Sequence, residues 1–174
     1  MGRKITNVSK ASDLHMKELI MDPTIKEPQS QSGNQVCPVC DAFFENKHWY
    51  PAGEKVGEKT DIKFENASKS LCPGCFAVEH QIAEGEVRLE SPELVQHGDE
   101  VLNLIANVEA QCQRDNPKSR IFTIKREGSL IEFKTTTKWL ATRIGKQIQK
   151  AFNGSLAIKR APYEKYVRVH WAKN

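Results

Sequence analysis

Two copies of the pattern Cys-Pro-x-Cys, Cys37 to Cys40 in "VCPVC" and Cys72 to Cys75 in "LCPGC", stand with 31 residues between them. The stretch they enclose is rich in Gly, Lys and Glu, and its larger apolar groups are chiefly Phe43, Phe44, Trp49, Tyr50 and Phe64. A segment of that size cannot build an independent core, so something else must hold it together. Two thiolates two residues apart can wrap one cation with backbone amides turned toward the sulfurs, and two such knuckles complete a tetrahedral shell. Zinc is the natural occupant of four soft thiolates, and iron fits the same geometry. A redox reading would ask for a single such motif opening a βαβ unit, which neither copy does. Structural disulfides do not persist in a reducing cytosol. The expected ligands are therefore Cys37, Cys40, Cys72 and Cys75, in a closed site that holds structure and leaves no position open for a substrate. His48 and His80 lie near the knuckles and read as neighbours of the site, while Cys112 reads as an inert core residue.

The 174 residues allow a small module joined to a somewhat larger one. The first 36 residues, ending in "DPTIKEPQSQSGNQ", carry little apolar periodicity and read as an arm over 1–36, with one short helix in "ASDLHMKELIM". No apolar run approaches the roughly 20 residues that span a bilayer. "MGRKITNVSK" lacks the apolar stretch of a secretory signal, so the expected compartment is the cytoplasm, with no membrane partner.

From residue 86 the pattern becomes regular. "EVRLE" alternates like a strand, and the helix that follows runs to Pro117, with Ser91 as its cap and Pro92 at its first position. Its core stripe is Leu94, Gly98, Val101, Ile105, Val108 and Cys112. "RIFTIKR" and "SLIEFKTT" form a hairpin turning at Gly128, with Phe122, Ile124, Ile131 and Phe133 inward. A second helix, "TKWLATRIGKQIQKAF", ends at Asn153 and Gly154, and "SLAIKR" and "YVRVHW" are further strands. The expected fold class is α+β: a zinc-ribbon module over 37–84, then a basic domain over 85–174 built as a split βαβ (ferredoxin-like) sandwich with an extra strand.

Charge divides along the chain. Residues 76–116 hold two basic residues against nine acidic ones, net −7, and residues 117–174 hold fourteen against three, net +11. Clustered cations raise the local potential and attract polyanions. On the second helix Lys138, Arg143, Lys146 and Lys150 share the arc opposite Leu140, Ile144, Ile148, Ala151 and Phe152, and Trp139 falls among them. Trp139 there either stacks on a nucleobase or folds over the sheet edge beneath lysine stems. Alternation sends Thr123, Lys125, Lys134, Lys159, Tyr166, Arg168 and His170 to the sheet face away from the core. With Arg160 at the end of "SLAIKR" and Lys165 just ahead of "YVRVHW", these cations and aromatics are the candidate nucleic-acid contacts. The aromatic RNP1 signature of single-strand readers is missing, which favours structured RNA. No P-loop, nucleophile elbow, His-Glu metal motif or dinucleotide fingerprint occurs, so no enzyme activity and no small-molecule substrate are expected.

The stretches "EPQSQSGNQVCPVCDAFFENKHW", "LCPGC", "DEVLNLIANVEAQ", "KTTTKWLATRIGKQIQKAFNGSL" and "YVRVHW" resemble a group of short bacterial zinc-ribbon proteins. These in turn are similar to the N-terminal part of the archaeal and eukaryotic large-subunit export adaptor first named for nonsense-mediated decay. The resemblance to the bacterial group runs from about Glu27 onward. It implies a zinc site at the four cysteines and a basic domain that contacts the ribosome. The expected function is thus a zinc-binding, RNA-binding protein associated with ribosomal RNA, and in part with ribosomal proteins, in translation, ribosome assembly or hibernation. The alternative is a protein-interaction adaptor with a structural ribbon and no nucleic-acid partner.

Overall fold

The computed structural model describes residues 33–53, 67–160 and 165–174. Most of the expected arm, its short helix and Phe64 lie outside the described residues.

Over the described residues the chain is a mixed α/β structure with two sheets and three helices. The small sheet comprises β1 (Gln35–Val36), β2 (Phe43–Glu45), β3 (His48–Tyr50) and β4 (Ser68–Lys69), in the order β3-β2-β1-β4. Gln35 and Val36 were expected in the arm, but as β1 they pair with both β2 and β4. Between β2 and β3, Asn46 and Lys47 both take positive φ, the conformation a two-residue hairpin turn requires. The hairpin sets Phe43 on Tyr50, ring centres 5.0 Å apart, and Phe44 on Trp49 at 5.5 Å. Phe44, Trp49 and Ala42 close over Cys37, Cys72 and Cys75 to form a small core of their own.

The short helix α1 (Pro73–Glu79) leads to a domain of β5 (Gly85–Glu90), α2 (Leu94–Asp115), β6 (Ile121–Glu127), β7 (Leu130–Thr135), α3 (Lys138–Phe152), β8 (Ser155–Arg160) and β9 (Val167–Ala172). Its five-stranded sheet has the order β6-β7-β5-β9-β8, with β9 parallel to β5 and the other pairs antiparallel. The element order matches the sequence reading, but the extra strand lies inside the sheet. A split βαβ sandwich keeps its first and fourth strands adjacent; here β9 separates β5 from β8. Burial accounts for the choice: Val167, Val169 and Trp171 are almost fully buried, whereas β8 half-buries only Leu156 and Ile158 and suits an edge.

Both α2 and α3 pack on one sheet face, over Val87, Leu89, Ile131, Phe133 and the β9 residues. The α2 stripe is buried as expected, joined by Glu109. The helix starts at Leu94 and not directly after Ser91. The Ser91 hydroxyl instead accepts the Glu93 amide at 3.2 Å, in a turn ahead of the helix. Thr137 caps α3 by accepting the Leu140 amide, and Asn153 and Gly154 end it at positive φ. Ala151, assigned to the core arc, is exposed.

One expectation about β6 fails. Thr123 takes a φ of 55°, and the pairing jumps from Phe122–Lys134 to Lys125–Glu132, so two residues of β6 oppose Phe133 alone. This bulge reverses the alternation. Ile121 takes the core position, Phe122 shares the opposite face with Lys134, and Ile124 is exposed. No helix among the described residues is long and apolar enough to cross a membrane.

Candidate metal centre and basic surface

The first knuckle is a tight loop. The Cys37 amide donates to Ala42 O at 2.7 Å, the Asp41 amide donates back to Cys37 O at 2.9 Å, and Asp41 takes the left-handed conformation that closes the turn. The second knuckle opens α1. Cys72 is its N-cap residue, Pro73 supplies the fixed φ of a first helical position, and the Cys75 amide donates to Cys72 Sγ at 3.4 Å. The two loops bring the sulfurs of Cys37, Cys40, Cys72 and Cys75 within 4.8 Å of one another, with Cys40 and Cys72 at 3.6 Å. None of the four is in a disulfide. A cation held about 2.3 Å from four sulfurs spaces them about 3.8 Å apart, and the cluster has that scale. The four cysteines can therefore hold a metal ion. His48 and His80 are not part of the sulfur group; their rings lie against Tyr50 and Phe76.

The thiols influence one another. Hydrogen bonds from Cys72 and Cys75 push the Cys40 thiol well down, helped by Arg120. The same shared bonds, with burial and like charge, push Cys72 up to about 11 and Cys75 higher still. Without a cation the Cys40 thiolate forms readily, while Cys72 and Cys75 resist ionisation. A divalent ion removes that resistance by displacing the protons. Cys112, on the buried stripe of α2, is pushed up by burial and takes no part.

Arg120 has no sequence signal and is central to this site. It is 6% exposed, and its Nη2 lies 3.7 Å from Cys40 Sγ and 4.0 Å from Cys72 Sγ. Burial alone would lower its pKa, but the sulfurs of Cys72 and Cys40 raise it, so the guanidinium stays charged. The run Thr135, Thr136 and Thr137 holds it there. Thr136 Oγ1 accepts the Arg120 amide at 2.8 Å, the Thr136 amide donates to Arg120 O at 3.0 Å, and Thr137 Oγ1 lies 3.2 Å from Ser119 Oγ. One polar cluster thus ties the four-cysteine cluster to the start of α3.

The candidate nucleic-acid contacts divide between opposite sides of the domain. Lys138, Trp139, Arg143, Lys146 and Lys150 are exposed on α3, with Trp139 71% exposed. Lys125, Lys134, Lys159 and Arg168 belong to the open sheet face, where Arg168 lies 5.3 Å from the Tyr166 ring centre. Burial and Glu86 push the Tyr166 phenol up to about 12. Arg160, the last residue of β8 and paired with Val167, is exposed, as is Lys165 ahead of β9.

Acidic residues interleave with the cations of the sheet face. Glu86 stands between Lys134 and Arg168, and Glu132 beside Lys125. Arg88 bonds Glu132 and Glu90, and His170 meets Glu90 at 2.8 Å. Acidic and basic blocks also pair across the fold, through Lys118 with Glu84, Lys173 with Glu93, Arg126 with Asp99 and Arg143 with Asp115. Such exposed pairs add little stability, but they cut the free positive charge well below the sequence total. On α3, by contrast, Lys138, Lys146 and Lys150 face no ion-pair partner among the described residues. No family model, curated protein or solved structure matches the chain.

Proposed function

We propose that this chain is a cytoplasmic zinc-ribbon protein whose basic domain binds RNA, with ribosomal RNA as the partner. Zinc is assigned to Cys37, Cys40, Cys72 and Cys75 because four thiolates make a closed soft shell, and its role there is structural. The observation that carries the RNA reading is the solvent face of α3. At 100° per residue, Trp139, Arg143, Lys146 and Lys150 fall within one arc, with Lys138 at its margin. An exposed indole among cations offers a base or sugar an apolar plane while lysines meet phosphates. The sheet face, with its acidic residues, supports the reading less. The resemblance to short bacterial zinc-ribbon proteins points to the ribosome, in translation, assembly or hibernation.

Filter binding of structured RNA across a salt series tests this reading. Each of Lys146→Glu and Lys150→Glu should weaken binding and reduce the log–log salt slope by about one. Lys134→Glu, beside Glu86 on the sheet, should do less. A salt-independent affinity would remove the electrostatic basis. Equal losses from the helix and sheet variants would move the interface off α3.

A second reading, a protein adaptor, draws on α2, where Val95 is 61% exposed one turn from Asp99. A partner retained from nuclease-treated lysate and lost on Val95→Asp would favour it.

A further inference from the structure

Four thiolates outweigh a divalent cation, so the loaded site carries net negative charge in a partly buried place. Charges of that kind persist when a counter-charge and hydrogen bonds meet them. Here the counter-charge comes from the other domain. The Arg120 guanidinium reaches Cys40 and Cys72, and its Nη1 donates to Ser119 O at 3.0 Å. The backbone beside it is pressed against the second knuckle. A methyl on Gly74 would collide with Pro117 O and stand 3.1 Å from Arg120 Cγ. Arg120 is almost fully buried and meets those two sulfurs across the contact, so a guanidinium that loses their arrangement is left poorly matched.

We propose that Arg120 is a positioning residue for the metal centre, its guanidinium clamping the thiolates of Cys40 and Cys72 so that metal loading and docking of the knuckles on the basic domain are one coupled event. The inference rests on the structural-metal reading. Outer contacts to metal ligands commonly set affinity by about 10- to 100-fold, and Arg120→Met should weaken zinc by that order in competition with a chelating dye. Arg120→Lys, which keeps the charge and loses the fork, should recover part of that affinity.

Hydrogen exchange on the full chain provides the second measurement. Stripping zinc from the unaltered protein should speed exchange at the Arg120 and Thr136 amides and leave the Val87 and Val169 amides protected. Gly74→Ala keeps every charged group and forces the surfaces apart. It should speed the same two amides with zinc bound, and it decides the matter if Arg120→Met does not fold. Unchanged zinc affinity in Arg120→Met, or exchange at Arg120 and Thr136 that ignores zinc, would overturn the clamp while leaving the zinc reading intact. Failure of the unaltered protein to take up zinc would overturn both.

Discussion

Gly145 illustrates how a single position governs the packing of this domain. It sits in the middle of α3, where glycine costs helix stability relative to alanine. The structure explains it: a methyl there would run into Val169 Cγ1 and stand 3.1 Å from Leu156 Cδ1. The helix therefore lies close on β8 and β9. Gly145→Ala should destabilise the domain by about 1–3 kcal/mol, the usual cost of overpacking. A lower urea midpoint with an unchanged slope would bear this out, and a midpoint equal to or above that of the parent would refute it. Nothing in "TRIGKQ" announces the contact, because the colliding residues come from strands read separately. Arg120 and Glu109 were hidden for the same reason. Glu109 Oε1 accepts the Ile121 amide at 2.8 Å, a bond between an interior helix carboxylate and the first residue of a distant strand.

The elements themselves were largely legible. The spacing of apolar residues along α2 and α3, the Asn153–Gly154 stop and the Gly128 turn all reflect local geometry, which a sequence carries directly. The failures lie where tertiary contacts override local preference, at the Thr123 bulge and in the position of β9. The threonine run before α3 ends β7 and caps the helix, and its larger role is as a joint. Thr135 Oγ1 donates to Thr137 O, Thr136 Oγ1 serves the 118–120 backbone, and Thr137 caps the helix. Thr136→Val keeps the shape and removes the hydroxyl. It leaves the buried Arg120 amide without its acceptor, an omission that costs about 1–3 kcal/mol. Thermal unfolding should show that loss with the far-UV spectrum unchanged. A stability equal to the parent's would mean that water or a rearranged backbone replaces the bond.

For the whole molecule, the four-cysteine cluster was readable from spacing alone, because ligands for one tetrahedral ion typically come in such close pairs. The charge distribution was less so, since the acidic and basic blocks that look separate along the chain meet in the fold. The described residues form two cores of unequal size. The larger joins α2, α3 and the five-stranded sheet, and the smaller consists of cysteines with Ala42, Phe44 and Trp49. Only the smaller depends on the sulfurs being held together, so metal removal should loosen it and spare the larger. The three tryptophans report the parts independently. Trp49 belongs to the small core, Trp171 is 1% exposed and bonds Asn153 O through its indole at 2.6 Å, and Trp139 stands in solvent. An amide correlation spectrum should show three indole signals, assigned by Trp139→Phe and Trp49→Phe. On chelation the Trp49 signal should collapse to the position of an unfolded chain, while Trp171 holds its shift and its slow exchange. Simultaneous loss of both would mean that the ribbon and the basic domain unfold as one unit. Persistence of the Trp49 signal would mean that its aromatic partners hold the small core without the metal.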